Sequence, residues 1–329
     1  MFAFKNMASN TVDPVAEVEV AHDGLALAVH ESFVEIEGVN GTLPVAMSNV
    51  YEMWAMDDTR TVEEKQSVME GVLSDAGTKI KNFFKKLAEK IKAWWKSVVK
   101  YFQTIFSSNK NFLDKYGDEL RGKDTSDFSY EGHKWNPKTA GDMLEKAVKF
   151  AAGFNLSLDG QLKLTDEKKK IDSALGAKSP SDFCTKLRKE AGAERKSTIK
   201  NFSGVASVGE MIDYVSDGGN KDIERLEEVS SQMSAALDKR GDEIADAMEK
   251  VKDDVNKTAN YRVLLGATKY AFSYATQALS AAKSLYAQCI SEYSGVLRSL
   301  ARHTSKEEKE AKKRVTESAD LLSVWGGEF

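Results

Sequence analysis

The chain has 329 residues, 41% hydrophobic and 30% charged, with a formal net charge of −4, a balance that suits a helix-rich globular protein able to bury a sizeable core. Four prolines permit long uninterrupted helices, and two cysteines 105 residues apart, Cys184 and Cys289, exclude a disulfide framework. No run of about 18 apolar residues is present to span a bilayer.

The charge is distributed unevenly. Residues 1–76 carry fourteen acids against Lys5, Arg60 and Lys65, a net −11, whereas residues 77–106 carry eight lysines and Glu89, a net +7. An acidic arm therefore runs directly into a basic segment. The N-terminus, MFAFKNMASNTVDPVAEVEV, holds one base and no apolar run of signal-peptide length, so synthesis and folding in a cytoplasm are expected.

In chain order, the arm (1–76) offers GLALAVHESFVEIEG, with Leu25, Val29, Phe33 and Ile36 at helical spacing, closed by Gly38. Two short helices are predicted around residues 45–56 and 62–73, with soft breaks at Gly71 and Gly77. From Thr78 the spacing predicts a basic amphipathic helix. Ile80, Phe84, Leu87, Ile91, Trp94, Val98, Phe102 and Ile105 recur every three or four residues, and Phe83, Trp95, Val99, Tyr101 and Phe106 widen the stripe to a core-facing breadth. Ser107–Lys110 is expected to interrupt it before a second short helix ending near Gly122.

Residues 123–217 read as a small mixed α/β region. FSYEGHKW alternates like a strand up to Asn136-Pro137, and a helix follows it. FNLSLDGQLKL alternates on both sides of Asp159-Gly160, which predicts a β-hairpin. Short helices broken at Gly176, Ser179-Pro180, Gly192 and Gly204 follow. Residues 218–304 read as two long helices. One carries Ile223, Leu226, Val229, Met233, Leu237, Ile244, Met248, Val251 and Val255, with Gly241 a weak point. The other carries Leu265, Thr268, Phe272, Ala275, Leu279, Ala282, Tyr286, Cys289, Tyr293, Val296 and Leu300 at coiled-coil spacing. The fold class expected is mostly α, with a small β patch of one strand plus a hairpin and a long C-terminal antiparallel helical hairpin. A charged tail, 305–329, closes the chain.

No catalytic constellation is legible. His22, His30, His133 and His303 are unpaired in spacing, and neither a phosphate-cradling glycine loop nor a nucleophile elbow occurs. Asp253-Asp254 and Glu227-Glu228 are adjacent on helices and point about 100° apart. Lys168–Lys170 reads as charged surface. No enzyme activity, no cofactor and no metal are expected.

What remains is the basic helix, which admits three readings: a core helix with a lysine-rich outer face, an interfacial membrane helix using Trp94 and Trp95, or a face for a polyanion. The polyanion could be nucleic acid or the chain's own acidic arm. The lysines in question are Lys79, Lys81, Lys85, Lys86, Lys90, Lys92, Lys96 and Lys100. Inward folding is favoured, because thirteen large apolar side chains in the segment would otherwise meet water.

The order of an acidic arm with HESFVEIEG, the helix KIKAWWKSVVKYF, then NKNFLDKYGDEL, FSYEGHKW and a long helical C-terminal half resembles the virion structural proteins of large tailed bacteriophages. That group includes internal head and prohead-core proteins, and the resemblance covers roughly residues 20–136. It implies a non-enzymatic component of the head interior, made in the host cytoplasm, that meets other virion proteins, packaged DNA and copies of itself through its helices. The alternative is a membrane-interacting protein acting through residues 78–106. Maturation proteases of such phages cut after glutamate with a small or apolar residue two positions before it. VMEG, at Glu70 with Val68 two positions before it, is similar to that pattern. VEIEG, at Glu37, is a second candidate, with the apolar Ile36 adjacent but Glu35 two positions before. A cut after Glu70 would remove thirteen acids.

Overall fold

The computed structural model describes residues 62–250 and 255–325, with side chains described between Thr78 and His303 apart from a few positions. The elements in order are α1 (Val62–Arg121), β1 (Ser129–Gly132), α2 (Pro137–Gly153), α3 (Leu164–Leu175), α4 (Pro180–Glu190), β2 (Ser197–Lys200), α5 (Val208–Asp213), α6 (Gly219–Lys250) and α7 (Val255–Trp325). A single π-helical turn, Tyr214–Gly218, joins α5 to α6. Among the described residues the fold is mostly α, as the apolar periodicity predicts, and carries one two-stranded antiparallel sheet.

Four long helices form the frame. Lys81 meets Asp242 and Gly219 meets Phe106, so α1 and α6 run antiparallel. Gly219 also meets Ile290, while the Tyr261 hydroxyl donates to the Ile244 carbonyl, which makes α6 and α7 the expected antiparallel hairpin. Arg225 pairs with Asp142, and Arg240 donates to the Ala152 and Phe154 carbonyls, so α2 runs alongside α6 in the same direction. The hairpin is therefore not a free-standing unit: α1 covers α6, and α2, α3 and α4 cover α7.

α7 is the central shaft. Its predicted seam is buried, and so are Ala267, Ala271, Tyr274, Ala278, Ala281, Leu285 and Ile290 on its other sides. Alanine makes this possible, because a short side chain lets several helices approach one axis closely. The main apolar core joins Phe84–Phe102 of α1, Ala140–Ala151 of α2, Ile171, Phe183 and Leu187 of α3 and α4, and the facing sides of α6 and α7. A second cluster, with Phe128, Phe202, Met211, Ile212, Tyr293 and Leu297, seats the sheet and α5 on the middle of α7.

Local signals place several boundaries. Asn136-Pro137 and Ser179-Pro180 start α2 and α4 with proline in the first turn, and the Ser179 hydroxyl accepts from Asp182 N at 3.1 Å. Gly176 caps α3 at φ 72°. Ser207 and Glu210 form a reciprocal capping box on α5.

Four expectations are corrected. First, the hairpin at residues 154–164 does not form. Gly160 takes the predicted left-handed turn, at φ 77°, but the flanking segments are not strands. The amide of buried Asn260 on α7 donates to the carbonyls of Leu158 and Gly160 at 2.8 and 2.6 Å, and its oxygen accepts from Leu162 N at 3.1 Å. These groups are thus satisfied from α7 rather than across a ladder. Second, the partner of β1 is β2, which carried no strong signal of its own; Ser129 pairs with Lys200 and Gly132 with Ser197.

Third, α1 passes without a break through Gly71, Gly77 and Ser107–Lys110. A helical glycine costs about 1 kcal/mol relative to alanine, too little by itself to end a long helix. Fourth, the tail from 305 continues α7 to Trp325. Gly241 is likewise not a break but a contact: a Cβ there would lie 2.8 Å from the Cβ of Phe84, so its absence lets α1 and α6 touch. The segments expected around residues 20–38 and 45–56 lie outside the described residues.

Candidate polyanion-binding face

α1 is divided lengthwise by its own sequence. On one side Phe84, Leu87, Ala88, Ile91, Trp95, Val98 and Phe102 are buried against α6 and α7, and Trp94, Val99, Tyr101, Ile105 and Phe106 are half-buried around them. Trp94 and Trp95 sit at 6.3 Å between ring centroids, and Phe102 stacks on Phe106 at 6.4 Å. Among the described residues the aromatic stripe is core; the side chains of Ile80 and Phe83 lie outside them.

The opposite side carries the lysines. Lys81, Lys85, Lys86, Lys92, Lys96 and Lys100 are all exposed. At 100° per residue they cover an arc of about 140° along roughly 28 Å of helix. The side chains of Lys79 and Lys90 lie outside the described residues.

The arc is not uniform. At its edge beside α6, Lys81 bonds Asp242 at 2.7 Å and Lys92 approaches Asp238 at 3.6 Å. The Asp242 hydrogen bond and charge raise the Lys81 pKa above the usual lysine value. Away from that edge, Lys85, Lys86, Lys96 and Lys100 form no ion pair among the described residues. The structure thus splits the eight predicted lysines into two engaged in helix packing, four left open to solvent, and two outside the description.

The cleavage candidates fall differently. Glu70 lies within α1, and its side chain is outside the description. A protease that reads an extended strand must unwind this part of the helix to reach the Glu70–Gly71 bond. Glu37 lies outside the described residues.

The interior holds polar groups that sequence spacing did not reveal. Lys283 of α7 is only 3% exposed, with Nζ 5.6 Å from the ring centroids of both Trp94 and Tyr101. Burial lowers its pKa to about 8. Glu292 of α7 accepts from His133 N and Nδ1 at 2.7 Å and from Trp135 Nε1 at 3.1 Å, tying the end of β1 to the shaft. Tyr270 and Tyr274 both donate to Asp172 Oδ1, at 2.7 and 2.6 Å. At the π-helical turn the Tyr214 hydroxyl donates to Asp222 Oδ2 at 2.5 Å, and burial raises the Asp222 pKa. The partners in each set are distant in sequence or belong to different elements, which is why period-based reading misses them.

Each of these groups connects one element to another. Among the described residues no three His, Cys, Asp or Glu side chains are grouped to hold a metal ion. No helix among them is long and apolar enough to cross a membrane. Cys289 is buried and Cys184 half-buried; neither forms a disulfide, and burial raises both thiol pKa values. No protein-family model, curated protein or solved structure matches the chain.

Proposed function

We propose that the chain is a non-enzymatic structural protein of a tailed-phage virion, placed in the head interior, with the open lysines of α1 as its contact to a polyanion such as packaged DNA. The observation that carries this reading is the partition of α1. Its aromatic side is buried in the helical frame, while Lys85, Lys86, Lys96 and Lys100 stand exposed on the other side with no ion pair among the described residues. A helix so arranged works through charge. Four phosphate contacts would give a log–log salt slope of about −3.6 on duplex DNA, without sequence preference.

The resemblance in feature order supports the virion assignment, and the absence of a legible catalytic constellation is compatible with it. The membrane reading is less favoured, because Phe84, Leu87, Ile91 and Trp95 would have to leave the core to meet lipid.

Two measurements test the proposal. Mass spectrometry of gradient-purified particles should find peptides of this chain; particles without them remove the virion assignment. Fluorescence anisotropy with a short DNA duplex should show binding that weakens with salt at about the stated slope, and that Lys85→Gln/Lys96→Gln/Lys100→Gln abolishes. Salt-insensitive binding, or an unchanged variant, removes the lysine face from the reading.

A further inference from the structure

The four open lysines of α1 have a second candidate ligand in the same chain. Residues 1–61 carry ten acids against Lys5 and Arg60, a net −8, and they join α1 at Val62. On the folded side, the lysines nearest α6 are neutralised by Asp238 and Asp242, and those turned away from it are not. We propose that the acidic N-terminal segment docks on Lys85, Lys86, Lys96 and Lys100, so that it competes with an external polyanion for the same face. The competition rests on the polyanion reading given above; the docking itself does not.

Reach decides which acids can take part. Lys85 lies about 35 Å from Val62 along α1, and Lys100 about 57 Å. A chain spans at most about 3.3–3.6 Å per residue, so Asp57 and Asp58 fall short of Lys85. Glu31, Glu35 and Glu37 precede Val62 by 25 to 31 residues and can reach every lysine of the face. Tethering then matters more than pairwise strength. Exposed ion pairs are individually weak, but a segment joined to the same chain meets the face intramolecularly, which raises its effective concentration above that of a free polyanion. The contact is electrostatic and surface-exposed, so salt must weaken it.

Linkage makes the effect reciprocal: whatever affinity the segment takes from an external polyanion, the polyanion takes from the segment. Removing the acids, by substitution or by a cut at either glutamate candidate that releases them, would strengthen polyanion binding without touching the folded frame.

The test uses the full chain. Carbodiimide coupling in low salt, read by mass spectrometry, should join Glu31, Glu35 or Glu37 to Lys85, Lys86, Lys96 or Lys100. These links should vanish in 0.5 M sodium chloride. In an equal mixture of ¹⁴N- and ¹⁵N-labelled chains the linked peptides should be isotopically uniform. Links that go elsewhere, or that are isotopically mixed, overturn the proposal, the second by assigning the face to another copy. Alongside, Glu31→Gln/Glu35→Gln/Glu37→Gln should bind duplex DNA about fivefold or more tighter than the unsubstituted chain in low salt, within the usual range of coupling between sites. If the links form and neither chain binds DNA, docking stands and the polyanion reading fails. If both bind DNA equally and no links form, the docking proposal fails alone.

Discussion

The ε-ammonium of Lys283 lies 5.6 Å from the ring centroids of Trp94 and Tyr101, at the contact of α7 with α1, and has no carboxylate partner among the described residues. Buried lysines are normally paired, so the two rings supply here what a carboxylate supplies elsewhere.

This placement makes stability depend on pH in a defined direction. The pKa of Lys283 falls to about 8 in the folded chain, against about 10.4 for a free lysine. Between those values the unfolded chain binds more protons, so stability rises with pH across that window and the cost of burial is fully present below it. Lys283→Met is expected to stabilise the protein at pH 7 by about 1–3 kcal/mol, a burial cost of about 3 kcal/mol less the lost cation–π attraction. Urea unfolding at pH 7 and pH 9.5 checks this: the advantage of the variant should shrink at the higher pH. An advantage equal at both pH values would show that the amine titrates normally.

Gly241 and Gly117 are both helical glycines, and alanine should act oppositely at the two. At Gly241 the added Cβ would meet Phe84 Cβ at 2.8 Å, whereas at Gly117 the nearest atom is Leu113 Cβ at 3.9 Å. Gly241→Ala should destabilise by about 1–2 kcal/mol, overpacking exceeding the helix-propensity gain. Gly117→Ala should stabilise by about 0.5–1 kcal/mol. Thermal melts of both variants compare the two signs directly.

Asn260 holds the loop that replaces the expected hairpin. Asn260→Ala leaves two carbonyls and one N–H of that loop without their partner, which should cost about 2–3 kcal/mol. Amide exchange at Leu162 should accelerate more than exchange in the centre of α7. Equal acceleration at both would show that the loss is global rather than confined to the loop.

Glu292 accepts three donors from the chain that leaves β1. Glu292→Ala should cost about 3 kcal/mol, since a hydrogen bond to a charged group contributes more than a neutral one. Trp135 fluorescence should shift to the red as its indole loses its partner and the segment gains water. Glu292→Gln, which keeps an acceptor, should retain part of the stability.

Much of the frame was legible in the sequence because helix faces are written locally. The three- and four-residue spacing of Phe84, Leu87, Ile91 and Val98 gives one buried side of α1, and the lysines between them give its solvent side. The same holds for the seam of α7, and for starts where proline and a capping side chain sit together, as at Ser179-Pro180. The Asp159-Gly160 turn was also legible, and it forms at Gly160.

Partners, by contrast, were decided only in three dimensions. The residues around that turn fail to become strands because Asn260, about a hundred positions later, satisfies their backbone groups first. β1 pairs with β2, 65 residues or more away, and Gly241 becomes a contact point because Phe84 stands opposite. The division of the lysine face into engaged and open members follows from where Asp238 and Asp242 fall on α6. The sequence by itself determined which sides of each helix avoid water, since that depends on neighbours a few residues apart. The tertiary structure decided what each side meets, because hydrogen-bonding and charged groups take whichever partner the packing of the apolar faces brings within reach.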